Sequence, residues 1–281
     1  MQIVLMTTTD MMSKRGDDFA RMIGSIAASV PDGCRVHHVV LLQRCSDRER
    51  DEVFAAIPYS ATVLARAERL SLSAARNAML AVARERNLLH PDALVAFPDD
   101  DCWYPETLLR SLVDRFSHDP DLGLLICRVS LTPGSDWTES SMRTATATDV
   151  LRRSTSNCMF SRGDVVAQVG DFDPALGLGT PRMAGEDTDF SLRASFVSRK
   201  VVFVDQPLVG HREPDLESIT KYFGGNMLVA SRYALRSPEL FFEFGRKLCV
   251  GIYLVLRQRL GFGAYLQAVQ GSLGAFGRSS G

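Results

Sequence analysis

Through the first half of the chain, short apolar runs alternate with stretches whose apolar positions recur every three or four residues. "IVLM" at 3–6 predicts a strand, and Phe19, Met22, Ile23 and Ile26 then mark one face of a helix. "RVHHVVLL" predicts the second strand, and "SDRERDEVFAAI" a polar helix with Ser46 as its N-cap. "ATVLARA" predicts a third, short strand, 74–86 a helix, and "ALVAF" at 93–97 a fully apolar strand. Pro105 is placed in the first turn of the next helix, whose buried stripe is Leu108, Leu109, Leu112, Val113 and Phe116. "LGLLICRVS" closes the series as a strand. This rhythm predicts an α/β fold with a mostly parallel central sheet and helices on both faces.

The pattern then changes. Residues 130–155 are rich in Ser, Thr and Arg with little periodicity, which predicts a long excursion near the site. Glycines and an Asp-Pro pair over 154–180 signal several turns. "GEDTDFSLRASF" predicts a helix start, and "KVVFVD" a strand ending just before "QPLVGHREP". From about Thr220 the chain reads as helical. The expected division is a domain over 1–215 and a C-terminal helical extension over 216–281.

Bulk properties narrow the function. A length of 281 residues, 46% of them hydrophobic, suffices for a large core. The formal net charge is −1 and no long basic tract occurs, so no nucleic-acid partner is expected. The six cysteines form no CxxC pair, which argues for reduced thiols rather than a zinc site or disulfide framework. The N-terminal apolar run is short and lacks a small-residue cleavage site, so it is expected to be a strand and the protein cytoplasmic. No apolar run reaches about 20 residues, the length of a spanning helix. The run 248–256, between Arg246, Lys247 and Arg257, Arg259, suits peripheral contact with the inner face of a membrane. Packing on the domain, or in a homo-oligomer, is the alternative.

The chemistry concentrates in four places. Asp99, Asp100 and Asp101 follow the apolar strand directly, at the sheet edge where ligands of such folds bind. Adjacent carboxylates there suit a hard divalent cation shared with phosphate; an acidic turn before a helix is the plainer account. Glu186, Asp187 and Asp189 follow a glycine at a helix start, where one carboxylate suits a general base and helix capping is the alternative. His211 follows a strand and a glycine. Arg76 and Asn77 interrupt an alanine-rich helix, where Arg76 suits phosphate, a base or an ordinary ion pair.

In their order, "IVLMTTTD", "LSAARNAML", "FPDDDCWYP", "GDFDPALGLGT", "GEDTDFSLR" and "GHREP" resemble the GT-A glycosyltransferases of the inverting family 2, over 1–214. The resemblance implies a Rossmann-like nucleotide-diphospho-sugar transferase fold. It also implies a Mn²⁺- or Mg²⁺-dependent transfer of a hexosyl group from a nucleotide-diphosphate sugar to a saccharide or lipid-linked acceptor, in polysaccharide biosynthesis. By this resemblance Asp100 is the metal ligand, Asp101 its alternative, and Asp99 faces the ribose. His211 joins the metal or diphosphate. Thr7, Thr8, Thr9 and Arg76 contact the nucleotide, Asp187 is the base, and Glu186 holds acceptor or base. Residues 177–180 lie near the acceptor. One departure stands out: Leu42, Gln43 and Arg44 occupy the end of the second strand, where relatives carry an acid that reads the base. The missing acid therefore argues against uridine recognition and leaves guanosine and thymidine donors open. A non-catalytic nucleotide- or carbohydrate-binding subunit and a metal-dependent nucleotidyl- or phosphotransfer enzyme are the rival readings.

Overall fold

The structure, a computed structural model, describes residues 1–135, 137–212 and 220–277. Eight strands form one sheet in the order β3-β2-β1-β4-β7-β5-β8-β6. They are β1 (Gln2–Asp10), β2 (Arg35–Gln43), β3 (Ala61–Arg66), β4 (Ala93–Ala96), β5 (Leu122–Ser130), β6 (Met142–Thr144), β7 (Met159–Arg162) and β8 (Lys200–Gly210). The helices around it are α1 (Gly16–Ser29), α2 (Asp47–Ala56), α3 (Leu72–Glu85), α4 (Leu108–His118), α5 (Ala147–Arg153), α6 (Gly163–Val169) and α7 (Glu186–Val197). The C-terminal part adds α8 (Phe223–Tyr233), α9 (Pro238–Leu256) and α10 (Phe262–Ala275).

The expected strands of the first half all form, and β3, β2, β1 and β4 pair in parallel. The apolar runs of β1, β2 and β4 are buried on both faces, as a covered parallel sheet requires. Ser46 caps α2 in a capping box with Glu49, and the predicted stripe of α4 is buried from Leu108 through Phe116. Pro105, however, lies ahead of α4: its carbonyl accepts from the Leu108 N–H and helical geometry begins at Leu108.

Three expectations are corrected. The segment 130–155 is not a bare excursion, since it supplies β6 and α5, the latter started by a Thr146–Asp149 capping box. Both elements are too short to show a period. Second, β8 does not stop at Asp205. It runs on through Pro207 to Gly210, and register shifts against β5 absorb the proline that reads as a break. Third, β7 enters antiparallel between β4 and β5. Its polar sequence hid it: Arg162 is buried and donates to the carbonyls of Leu122, Pro91, Phe116 and Asp119.

The C-terminal helices pack on the domain through charged joints. Asp189 of α7 accepts from Arg193, Arg232 and Tyr233, which binds α8 to α7. Glu243 of α9 is buried and pairs with Arg152 of α5 and Arg246. Among the described residues no helix is long and apolar enough to cross a membrane.

Candidate active site

Asp99, Asp100 and Asp101 follow β4 in a turn closed by the Cys102 N–H on the Asp99 carbonyl. Three adjacent carboxylates repel unless each finds its own compensation, and here they diverge. Asp99 faces Asn157, which accepts from its backbone N–H at 2.7 Å and donates to its carboxylate at 2.8 Å; Ser156 Oγ and Arg76 Nη2 both lie 3.3 Å from it. Desolvation outweighs the pull of Arg76 and raises the Asp99 pKa. Asp100 turns toward β1: it accepts from Thr9 Oγ1 at 2.6 Å and from Arg15 at 2.9 Å. Asp101 meets His211 Nε2 at 3.2 Å and Arg212 Nε at 2.9 Å, with Arg15 at 3.5 Å. Burial resists ionisation of Asp101, yet the hydrogen bond and charge of His211 lower its pKa; burial likewise opposes the imidazolium, and Asp101 prevails and raises it.

His211 reaches the cluster because Trp103 is clamped to the end of β8. Trp103 and Gly210 exchange two backbone hydrogen bonds, 3.0 and 2.8 Å. The indole lies so close that a Cβ on Gly210 would stand 2.0 Å from its ring, and Arg21 stacks over the indole at 4.2 Å. A glycine is therefore required here for close approach.

Arg76 joins the two acidic motifs. Only 2% exposed on α3, it forms ion pairs with Asp187 and Asp99 and lies 3.8 Å from a carboxyl oxygen of Glu186. Ser156 N–H donates to the other oxygen of Asp187 at 3.1 Å. Glu186 and Asp187 begin α7 behind Gly185, whose φ of +99° is a left-handed cap. Burial, and then Asp187, raise the Glu186 pKa. The glycine-rich loop closes over this pair: Gly177 has a φ of +97°, which favours glycine, and a Cβ there would crowd Glu186 and Ser73 at 3.1 Å. Asn77 holds the same loop through two bonds with Phe172. A cleft of about 310 Å³ lined by Arg69, Leu70, Ser71, Leu178, Gly179, Met183 and Lys221 adjoins the loop.

The structure thus gathers Asp99, Asp101, His211, Arg76, Glu186 and Asp187. Asp100 and Thr9 pair with each other beside them. Thr7 is fully buried, donating to the Pro98 carbonyl and meeting His38, so it braces β1 instead of lining the crevice. Thr8 bonds to the Leu41 carbonyl and to Gln43 on the β2 side. Asp189 turns away into the α8 joint. Arg15, Ser156, Asn157 and Arg212 were not selected by sequence reasoning. Each touches the cluster from a distant or unpatterned segment, and only the proximity of Arg212 to His211 offered a signal.

Asp99, Asp101 and His211 offer ligand atoms within 4.8 Å of one another. Asp101 Oδ2 is buried and receives no well-aligned hydrogen bond despite its cationic neighbours. Two carboxylates and an imidazole fit a Mn²⁺- or Mg²⁺-class ion.

The acids of this α/β sheet gather beyond its strand ends, where open α/β sheets bind their ligands. Residues 15–167, more than half of the chain, match Glycosyl transferase family 2, and the chain belongs to that family. Its fold is similar to that of S. aureus TarS 1-349 (TM-score 0.69, 14% identity, covering 99% of this chain and 81% of TarS 1-349). The same protein in complex with UDP-GlcNAc gives a TM-score of 0.70 at 13% identity, covering 98% and 82%. GalNAc-T7 with UDP, GalNAc and Mn²⁺ gives 0.55 at 16% identity, covering 85% of this chain and 51% of that one. No curated protein matches the chain.

Proposed function

We propose that this glycosyltransferase moves a hexosyl group, with inversion, from a nucleoside-diphosphate sugar to a hydroxyl of a saccharide or lipid-linked acceptor in polysaccharide biosynthesis. One observation carries this reading: a single buried guanidinium, Arg76, ties the acid that follows β4 to the acids that begin α7. Donor and acceptor sites therefore share one wall.

Asp101, His211 and Asp99 would hold the divalent ion, a revision of the Asp100 assignment, because Asp100 is committed to Thr9 and Arg15. When bound, the ion neutralises charge on the departing diphosphate. Arg15 and Arg212 place further positive charge beside the same carboxylates. Asp187 is the base. Its side chain is 21% exposed against 9% for Glu186, so it is the acid an acceptor hydroxyl reaches. Arg76 and the Ser156 N–H fix its orientation, leaving a lone pair to take the proton as the acceptor oxygen attacks the anomeric carbon. Attack opposite the leaving diphosphate inverts the configuration. Glu186, its pKa raised, carries a proton toward neutral pH and is suited to donate to the acceptor. The expected domain division at 215/216 lies outside the described residues and stays part of this proposal.

The test is thermal unfolding with Mn²⁺ and nucleoside diphosphates, followed by diphosphate release from the matching sugar donors. A ligand at about 100 times its Kd stabilises by roughly 2.7 kcal/mol. Asp101→Asn is expected to abolish the metal-dependent shift, whereas Asp187→Asn keeps the shift and loses about 10²–10⁴-fold in turnover. Full turnover in Asp187→Asn would refute the mechanism.

A lipid-linked acceptor also suits the outer face of the C-terminal helices. Phe242, Ile252, Tyr253 and Leu256 on α9, and Phe262, Leu266 and Leu273 on α10, are exposed at helical spacing, with Arg257 and Arg259 exposed at the turn between. We place this face against an anionic membrane surface. Flotation with phosphatidylglycerol vesicles that Phe242→Glu/Leu256→Glu eliminates would support the placement. A concentration-dependent dimer lost in the same variant, without flotation, would assign the face to a homo-oligomer instead.

A further inference from the structure

The end of β2 offers no free acid for the donor's base. Leu42 is fully buried, and both ends of the Gln43 amide are engaged: Oε1 accepts from the Leu70 N–H at 2.7 Å and Nε2 donates to Thr8 at 2.9 Å. The neighbouring strand supplies a carboxylate in its place. Asp10 ends β1 in register with Gln43, one residue beyond Thr9, whose hydroxyl binds Asp100. A nucleotide with its diphosphate at the acid cluster, extended along the strand ends toward β2, brings its base to this position.

Arg44 is built to meet Asp10. Its φ of +52° is costly for a long side chain, and the turn this produces aims the guanidinium back at β1. Nε and Nη2 donate to the two Asp10 oxygens at 2.8 and 2.5 Å. Arg69, from the segment after β3, lies 3.6 Å away. Strain at the carboxyl edge of the sheet, spent on a partly exposed ion pair, suggests a requirement beyond stability. The Met12 N–H also donates to Asp10 Oδ1 at 3.2 Å; with about four acceptor sites on a carboxylate and five N–H donors on a guanidinium, Asp10 keeps one site and Arg44 three donors.

We propose that Asp10 and Arg44 together read the base of the donor, selecting a ring N–H beside a carbonyl, the edge shared by uracil, thymine and guanine. The inference rests on the donor-site reading above. Asp10 accepts from the ring N–H while Arg44 donates to the adjoining carbonyl. Adenine and cytosine present the reverse order, a ring lone pair beside an amino group. The carboxylate then faces a lone pair and the guanidinium faces an N–H.

The experiment is calorimetric titration of the full chain, with Mn²⁺, against UDP, dTDP, GDP, CDP and ADP. The first three are expected to bind at least about 10-fold tighter than the last two, the scale of one bidentate polar contact. Asp10→Asn is expected to narrow that ratio to within about threefold. Arg44→Gln, which keeps the acid but removes the donors, should do the same, and melting curves confirm that both variants fold. Equal affinity of the wild type for all five, or an Asp10→Asn variant that weakens all five by one factor, overturns the base assignment alone. Failure of the wild type to bind any diphosphate overturns the donor site and this proposal with it.

Discussion

Replacing Gly210 by alanine tests the joint that brings His211 to the acid cluster. The added methyl would stand 2.0 Å from Trp103 Cε2 and 2.2 Å from Nε1. The indole cannot retreat freely, since Arg21 stacks on it at 4.2 Å. Overpacking of this kind costs about 1–3 kcal/mol. If the strand end parts from Trp103, two backbone hydrogen bonds go with it, at about 1 kcal/mol each. A loss of about 3 kcal/mol lowers Tm by about 6–12 °C in a chain of this size. Affinity for Mn²⁺ plus UDP should fall at least about 10-fold, because His211 moves with Gly210. Adding Trp103→Ala removes the clash, so the double variant should recover stability relative to the sum of the single changes. Wild-type melting and binding in Gly210→Ala would show that the Trp103 contact does not position the site.

Two further predictions concern the frame. Burial resists ionisation of Asp149, yet Arg143 and Thr146 bring its pKa down to about 2 from 3.8. A carboxylate with a depressed pKa stabilises the fold above its unfolded value and loses that contribution as pH falls through the folded one. Discounted for solvent screening, Asp149→Asn should cost about 1 kcal/mol near neutrality, with the gap to wild type closing between about pH 4 and 2; urea unfolding showing a pH-independent gap would contradict this. Glu243→Ala removes the acid between Arg152 and Arg246 and should cost about 1.5–3 kcal/mol, with amide exchange rising first in α9. Uniform exchange along the chain would deny Glu243 a local anchoring role.

The first four strands, the stripe of α4 and the capping of α2 were legible because each is a local decision. A buried parallel strand must be apolar throughout, and a helix end must satisfy its own N–H groups. The acidic motifs were legible for the converse reason: apolar residues leading into clustered carboxylates signal an edge under electrostatic strain. What the sequence left undecided was how that strain is relieved. Asp99, Asp100 and Asp101 are adjacent in the chain, yet their partners lie at 76 and 157, at 9 and 15, and at 211 and 212. Periodicity carries no information about such pairings. The same holds for β7, whose Arg162 is tolerated in the middle of the sheet only because four carbonyls from other segments converge on it. Local patterning by itself determined the strands and helices of the first half of the chain and where acid chemistry gathers. Only the tertiary structure decided which cation each acid meets, because a charge in a folded chain is compensated by whatever the packing of distant segments brings within reach.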